Sequence, residues 1–144
     1  AGVMPELPAE PRDEDAALLA SADAMLDAVR AQIDLQAFHE ALRVIWQVVS
    51  DANRYVDNTA PWGLKKTDPP RMQEVLAVLA EVIRQVAILV QPVMPEATSK
   101  MLAQLGVPDN ARGFDTIGGA VRLPAGHVID KPEPVFPRYI VEEA

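Results

Sequence analysis

At 144 residues, 49% hydrophobic and 24% charged, the chain fits one domain with a buried core. Its net charge of −8 argues against a general nucleic-acid binder, since phosphate attraction needs clustered Lys and Arg. The absence of cysteine removes disulfides, thiolate zinc sites and cysteine nucleophiles, and is compatible with a cytoplasmic setting.

The first dozen residues carry Pro5, Pro8 and Pro11, each without an amide donor, and read as an extended lead-in over 1–12. They hold no basic run leading into an apolar one, so no signal peptide is expected. From Asp13 the pattern becomes helical. Asp13, Glu14 and Asp15 suit the positive end of a helix, and Leu18, Ala22, Met25, Val29 and Ile33 recur at three-to-four-residue spacing. One amphipathic helix is predicted, from about Glu14 to Gln32.

Asp34 is the expected N-cap of the second helix, with an apolar stripe of Leu35, Phe38, Leu42, Ile45, Trp46, Val49, Ala52 and Val56. Trp46 lies on this stripe and is expected in the core. The helix must end before Pro61, whose ring disfavours a helical residue ahead of it. Asp68 then caps a third helix with Pro69 at its first position. That helix is apolar around most of its circumference, which makes it the centre of a bundle. Its most apolar run, Val75 to Val90, is interrupted by Glu81, Arg84 and Gln85, which argues against a membrane span. Pro92 ends it, Pro95 opens a fourth helix, and Gly106 closes that one with Val107 as its hydrophobic contact. The fold expected for 13–106 is an all-α helical bundle of about four main helices. Beyond it, 107–144 is rich in Gly and Pro but keeps Phe114, Ile117, Val121, Leu123, Val135, Phe136 and Tyr139. Short irregular pieces or a small hairpin are expected there, packed on the bundle or on a neighbouring domain.

Catalytic chemistry is not legible. His39 and His127 lack partners at metal-ligand spacing, no glycine-rich loop precedes a lysine, and the serines carry no elbow motif. The carboxylates are expected mainly on solvent faces. What remains is "NRYVDNTAPWGLKK", residues 53–66. It lies in the only stretch that is not net acidic, 35–66, with four bases against three acids. Arg54, Lys65, Lys66 and Arg71 flank Trp62. An open indole beside cations suits single-stranded RNA, whose unstacked bases lie flat on aromatic faces while cations hold the backbone. The competing reading makes this a protein-interaction bundle in which Trp62 is a buried end-plug.

"ANRYVDNTAPWGLKKTD", with "FHEALRVIWQVVSDANRYVD" upstream and "RQVAILVQPVMPEATSKMLAQLG" downstream, resembles the helical anticodon-binding domain of class I aminoacyl-tRNA synthetases. Within that group it is most similar to the methionyl-tRNA synthetase family, the leucine, isoleucine, valine and cysteine families being the alternatives. The resemblance implies that Trp62 stacks on the anticodon, that Lys66 meets the RNA backbone and that Asp57 helps reject wrong anticodons. Asn53 and Tyr55 match recurrent family positions, where fixing the turn and touching RNA are both open; Arg54 and Lys65 join the candidate surface. The implied partner is the CAU anticodon loop of methionine tRNA. The family's preceding helix, with its anticodon-reading Asn and Arg, is missing, as is the catalytic domain. A C-terminal, non-catalytic fragment of a monomeric parent is therefore expected, with no cofactor of its own. ATP, and zinc as an option, would belong to the catalytic part, against which the tail is one candidate to pack.

Overall fold

The computed structural model describes residues 2–138. Through them run six α-helices: α1 Asp13–Asp23, α2 Met25–Asp34, α3 Phe38–Thr59, α4 Pro61–Thr67, α5 Pro69–Val90 and α6 Pro95–Gln104. Two 3-10 turns follow, Asp109–Ala111 and Phe114–Thr116. Gly2–Val3 (β1) pairs antiparallel with Val128–Ile129 (β2), Gly2 facing Ile129 and Val3 facing Val128. The all-α bundle is thus observed, with α1 and α2 together standing for the first expected helix.

That first helix is interrupted at Ala24, whose backbone stays right-handed at φ −83° and ψ −10°. No Gly or Pro announces the break. It coincides with Asp23, whose carboxylate accepts from Gln85 Nε2 at 2.8 Å and from both terminal nitrogens of Arg122 at 2.6 and 2.7 Å.

The expected cap at Asp34 is not found, because Asp34 is the last residue of α2. The chain leaves α2 through a left-handed Gln36 at φ 58°. The amides of Gln36 and Ala37 return to the carbonyls of Ile33 and Gln32 at 2.8 and 2.9 Å, which satisfies the end of the helix in the pattern usually built with glycine. Helix α3 then starts at Phe38 behind Ala37, with no side-chain cap.

Helix α5 is the centre. Twelve of its 22 residues are buried, and it touches α1, α3, α4 and α6. On one side Val75, Val78, Val82, Leu89 and Val90 meet Leu18, Leu19 and Met25 from α1 and α2 and Ile45, Val48 and Tyr55 from α3. On the other, Ala87 and Ile88 meet Leu102, Val107, Leu123 and Met4. Its polar residues are paired as burial requires. Glu81 accepts from Arg84 at 2.7 and 2.9 Å, from Gln85 at 2.9 Å and from the Leu123 amide at 2.9 Å. Arg84 donates onward to the carbonyls of Thr116 and Val121. The segment after α6 is therefore tied to the bundle by charged hydrogen bonds as much as by apolar contact.

The α6 end follows the expected design. Gly106 is left-handed at φ 73°, its amide bonds Ala103, and the Val107 amide bonds Leu102, both at 2.9 Å. A side chain at Gly106 would also meet the His127 ring at 2.6 Å.

Trp46 is not in the core. It is 66% exposed, and Leu35, Phe38, Leu42 and Val93 are exposed with it. The buried line on α3 is Ala41, Ile45, Val48 and Tyr55, turned about one residue's rotation, roughly 100°, from the Phe38–Leu42–Trp46 line. The other bundle helices cover only the first line and leave the second open. None of the helices among the described residues is long and apolar enough to cross a membrane. Tyr139 and the rest of the ending lie outside the described residues.

Candidate nucleic-acid interface

The stretch from Asn53 to Lys66 folds as two helices meeting at one corner, where a simple turn was expected. Helix α3 ends at Thr59, whose hydroxyl donates to the Tyr55 carbonyl at 2.7 Å. Ala60 is left-handed at φ 44° and ψ 60°, a conformation that costs an L-residue of roughly 1 to 3 kcal/mol. Its amide bonds the Val56 carbonyl and its own carbonyl receives the Gly63 amide, at 2.9 and 2.8 Å. Pro61 occupies the first position of α4, where its missing amide hydrogen costs nothing.

On this seven-residue helix Trp62, Lys65 and Lys66 share one side, being three and four residues apart. All three are exposed, Trp62 at 66%. Leu64, on the opposite side, is half-buried and packs on the main core. The sequence alternation alone therefore turns the indole and both ammonium groups to solvent. Asn53, Arg54 and Asp57 are exposed on the final turns of α3, with Asn53 and Asp57 one turn apart. Arg54 makes a loose pair with Asp51 at 3.6 Å and is otherwise open.

Arg71 does not belong to this cationic edge. Only 4% exposed, it spends its guanidinium on Asp15, with Nη1 to Oδ2 at 2.6 Å and Nη2 to Oδ1 at 2.7 Å. It also reaches Glu74 at 3.1 Å and Glu14 at 2.8 Å. Asp15 is fully buried and accepts as well from the Tyr55 hydroxyl at 2.7 Å and the Arg12 amide at 3.3 Å. Tyr55 is thereby structural, its ring buried and its hydroxyl committed. Burial pushes the Asp15 carboxyl up, but the hydrogen bonds from Arg71 and Tyr55 and the Arg71 charge outweigh it and hold the group below the usual carboxylate range. Burial and the Asp15 hydrogen bond raise the Tyr55 phenol, and the hydrogen bond to Asp15 raises Arg71 against its own desolvation.

Among the described residues Asp15 and Glu81 are the buried exceptions to carboxylates that otherwise lie, as expected, mainly on solvent faces. For Glu81 a signal existed: a charge in the middle of a helix apolar all round must be paired. For Asp15 none did, since an acid in a first turn is ordinarily explained by the helix dipole.

Residues 5–144 match the family described as the anticodon binding domain of methionyl tRNA ligase. The chain belongs to this family. Relatives of this methionyl-tRNA ligase domain include the methionine–tRNA ligase of Rhizobium meliloti strain 1021, 50% identical over 132 residues, which are 92% of this chain and 26% of that protein. That of Brucella suis biovar 1 is 47% identical over 128 residues, covering 89% and 25%. Among solved structures, the apo form of Mycobacterium tuberculosis methionyl-tRNA synthetase superposes with a TM-score of 0.90 at 45% identity, over 96% of this chain and 28% of that one. The same enzyme in complex with methionyl-adenylate also gives 0.90 at 45% identity, over 95% and 27%. The chain spans about a quarter of the length of these relatives.

Proposed function

We propose that this chain is the anticodon-recognition part of a methionine–tRNA ligase, binding the CAU loop of methionine tRNA. The observation that carries the reading is the open Trp62 indole with Lys65 and Lys66 on the same side of α4, within a chain of this family. A base flipped out of the loop would lie on the indole, worth about 1 to 3 kcal/mol. The two ammonium groups would hold adjacent phosphates. Asp57 and Asn53, on the last turns of α3, would present an acceptor and an amide to base edges, with Asp57 repelling loops that offer it no donor. Arg54 would add a backbone contact.

By this reading the chain performs no chemistry. The parent attaches methionine to tRNA with ATP, in the cytoplasm and as a monomer, and its ATP, and zinc where present, are held outside this chain. Recognition energy at the anticodon favours the distant reaction by holding the acceptor end in place. The alternative that Trp62 closes the bundle as a plug requires a buried ring, and its exposure counts against that.

Titration of the full-length parent with a CAU anticodon stem-loop at several salt concentrations tests the proposal. Binding is expected to weaken with salt, and Lys66→Ala should lower the slope of log affinity against log salt by roughly 0.7, one single-strand phosphate contact. Equal affinity for a loop of scrambled anticodon would contradict it.

A further inference from the structure

The left-handed Ala60 and the buried cluster of Asp15, Tyr55 and Arg71 sit on the same part of the chain. An unfavourable backbone conformation persists only where its surroundings fix it on both sides. Here the two sides are fixed by one carboxylate. Tyr55, five residues before Ala60, gives its hydroxyl to Asp15 at 2.7 Å and its carbonyl to the Thr59 hydroxyl at 2.7 Å. Arg71, nine residues after Trp62, holds both oxygens of Asp15 with its side chain. Its backbone amide meanwhile donates to Asp68 Oδ1 at 3.1 Å, the cap that starts α5 where α4 ends. Helices α3 and α5, between which α4 hangs, are thus pinned to one buried point on α1.

Stability alone does not account for such a device. A buried ion pair can generally be replaced by well-packed apolar side chains at little or no loss of stability, because desolvation offsets the attraction. Apolar packing, however, has no preferred direction, whereas a bidentate guanidinium and a phenol on one carboxylate fix angles as well as distances. Such a cluster ties together the two helices that flank α4, and α4 itself contributes only the half-buried Leu64 to the core.

We propose that Asp15, Tyr55 and Arg71 are positioning residues that set the α3–α4–α5 corner so that Trp62 and Lys66 meet the anticodon loop already oriented. The proposal rests on the RNA-binding reading above. A loosened corner would spend part of its time out of register, and apparent affinity falls in proportion to the competent fraction.

The test is a double-mutant cycle in the full-length parent, with Tyr55→Phe, Trp62→Ala and the pair, read as KM for methionine tRNA, kcat at saturating tRNA, and formation of methionyl-adenylate without tRNA. Tyr55→Phe is expected to raise the tRNA KM about three- to tenfold, with kcat and adenylate formation unchanged, and to raise it clearly less once Trp62 is Ala, when only the lysines are left to misplace. The same increase in both backgrounds, or none in the parent, overturns the positioning role. A silent Trp62→Ala is a separate result that removes the anticodon reading itself. Should Tyr55→Phe fail to fold, Arg71→Lys replaces it in the same cycle, since it keeps the charge and loses the two-pronged contact.

Discussion

Trp62→Ala in the full-length parent is expected to lower kcat/KM for charging methionine tRNA by roughly one to two orders of magnitude. The estimate follows from the stacking energy, about 1 to 3 kcal/mol per base, with each 1.4 kcal/mol worth about tenfold. Trp62 can supply it because its ring is open and its helix is anchored from behind by Leu64. Truncation should cost the fold little, since an exposed side chain contributes few core contacts. Unchanged thermal unfolding together with lost charging is therefore the expected pair of results. Trp62→Phe, which keeps a smaller flat face, should fall between the two. Undiminished charging by a folded Trp62→Ala enzyme would remove the indole from recognition.

Arg71→Ala is expected to have the largest effect on stability, about 3 to 5 kcal/mol, because it leaves the fully buried Asp15 carboxylate without its charge partner. Against a total of roughly 5 to 15 kcal/mol for a domain, this is a large share. The pH dependence identifies the cause. In the parent sequence the Asp15 pKa is lowered on folding, so its contribution is complete above the ordinary carboxylate value of about 3.9 and is lost as pH falls through the lowered one. Without Arg71 the burial effect is unopposed by that charge, the folded pKa rises, and protonation then favours the folded state. The stability deficit of Arg71→Ala, measured by urea unfolding, should therefore shrink from pH 7 towards pH 4. A deficit independent of pH would locate the loss in packing and not in Asp15.

Local chain chemistry made much of this arrangement legible. Asp68 with Pro69, Pro95, and Gly106 with Val107 act within one or two turns, and each delimits a helix as its chemistry requires. The exposure of Trp62 follows from similarly local facts: Pro61 begins a helix, and Leu64 is the residue that turns inward. Where the chain uses a left-handed residue that is not glycine, the boundary is silent. Gln36 and Ala60 are such residues: Asp34 ends α2 where a cap for the next helix is expected, and although Pro61 sets the end of α3, α4 begins directly behind Ala60 where a turn is expected. Trp46 failed for a different reason. An apolar stripe marks a surface that avoids water without stating which of two adjacent lines the neighbouring helices will cover, and here Ala41, Ile45 and Val48 were covered. The Arg71–Asp15 pair spans 56 positions along the chain, and no pattern within a window that short of the whole sequence joins its members.

The most direct measurement uses this chain with Trp46→Phe, which leaves Trp62 as its single indole. Its emission is followed while a CAU anticodon stem-loop is added and binding is monitored separately through a label on the loop. The account predicts the red-shifted emission of a solvated ring in the free protein, and quenching in proportion to occupancy as a base stacks upon it. Emission that stays unchanged while the loop is demonstrably bound would contradict it.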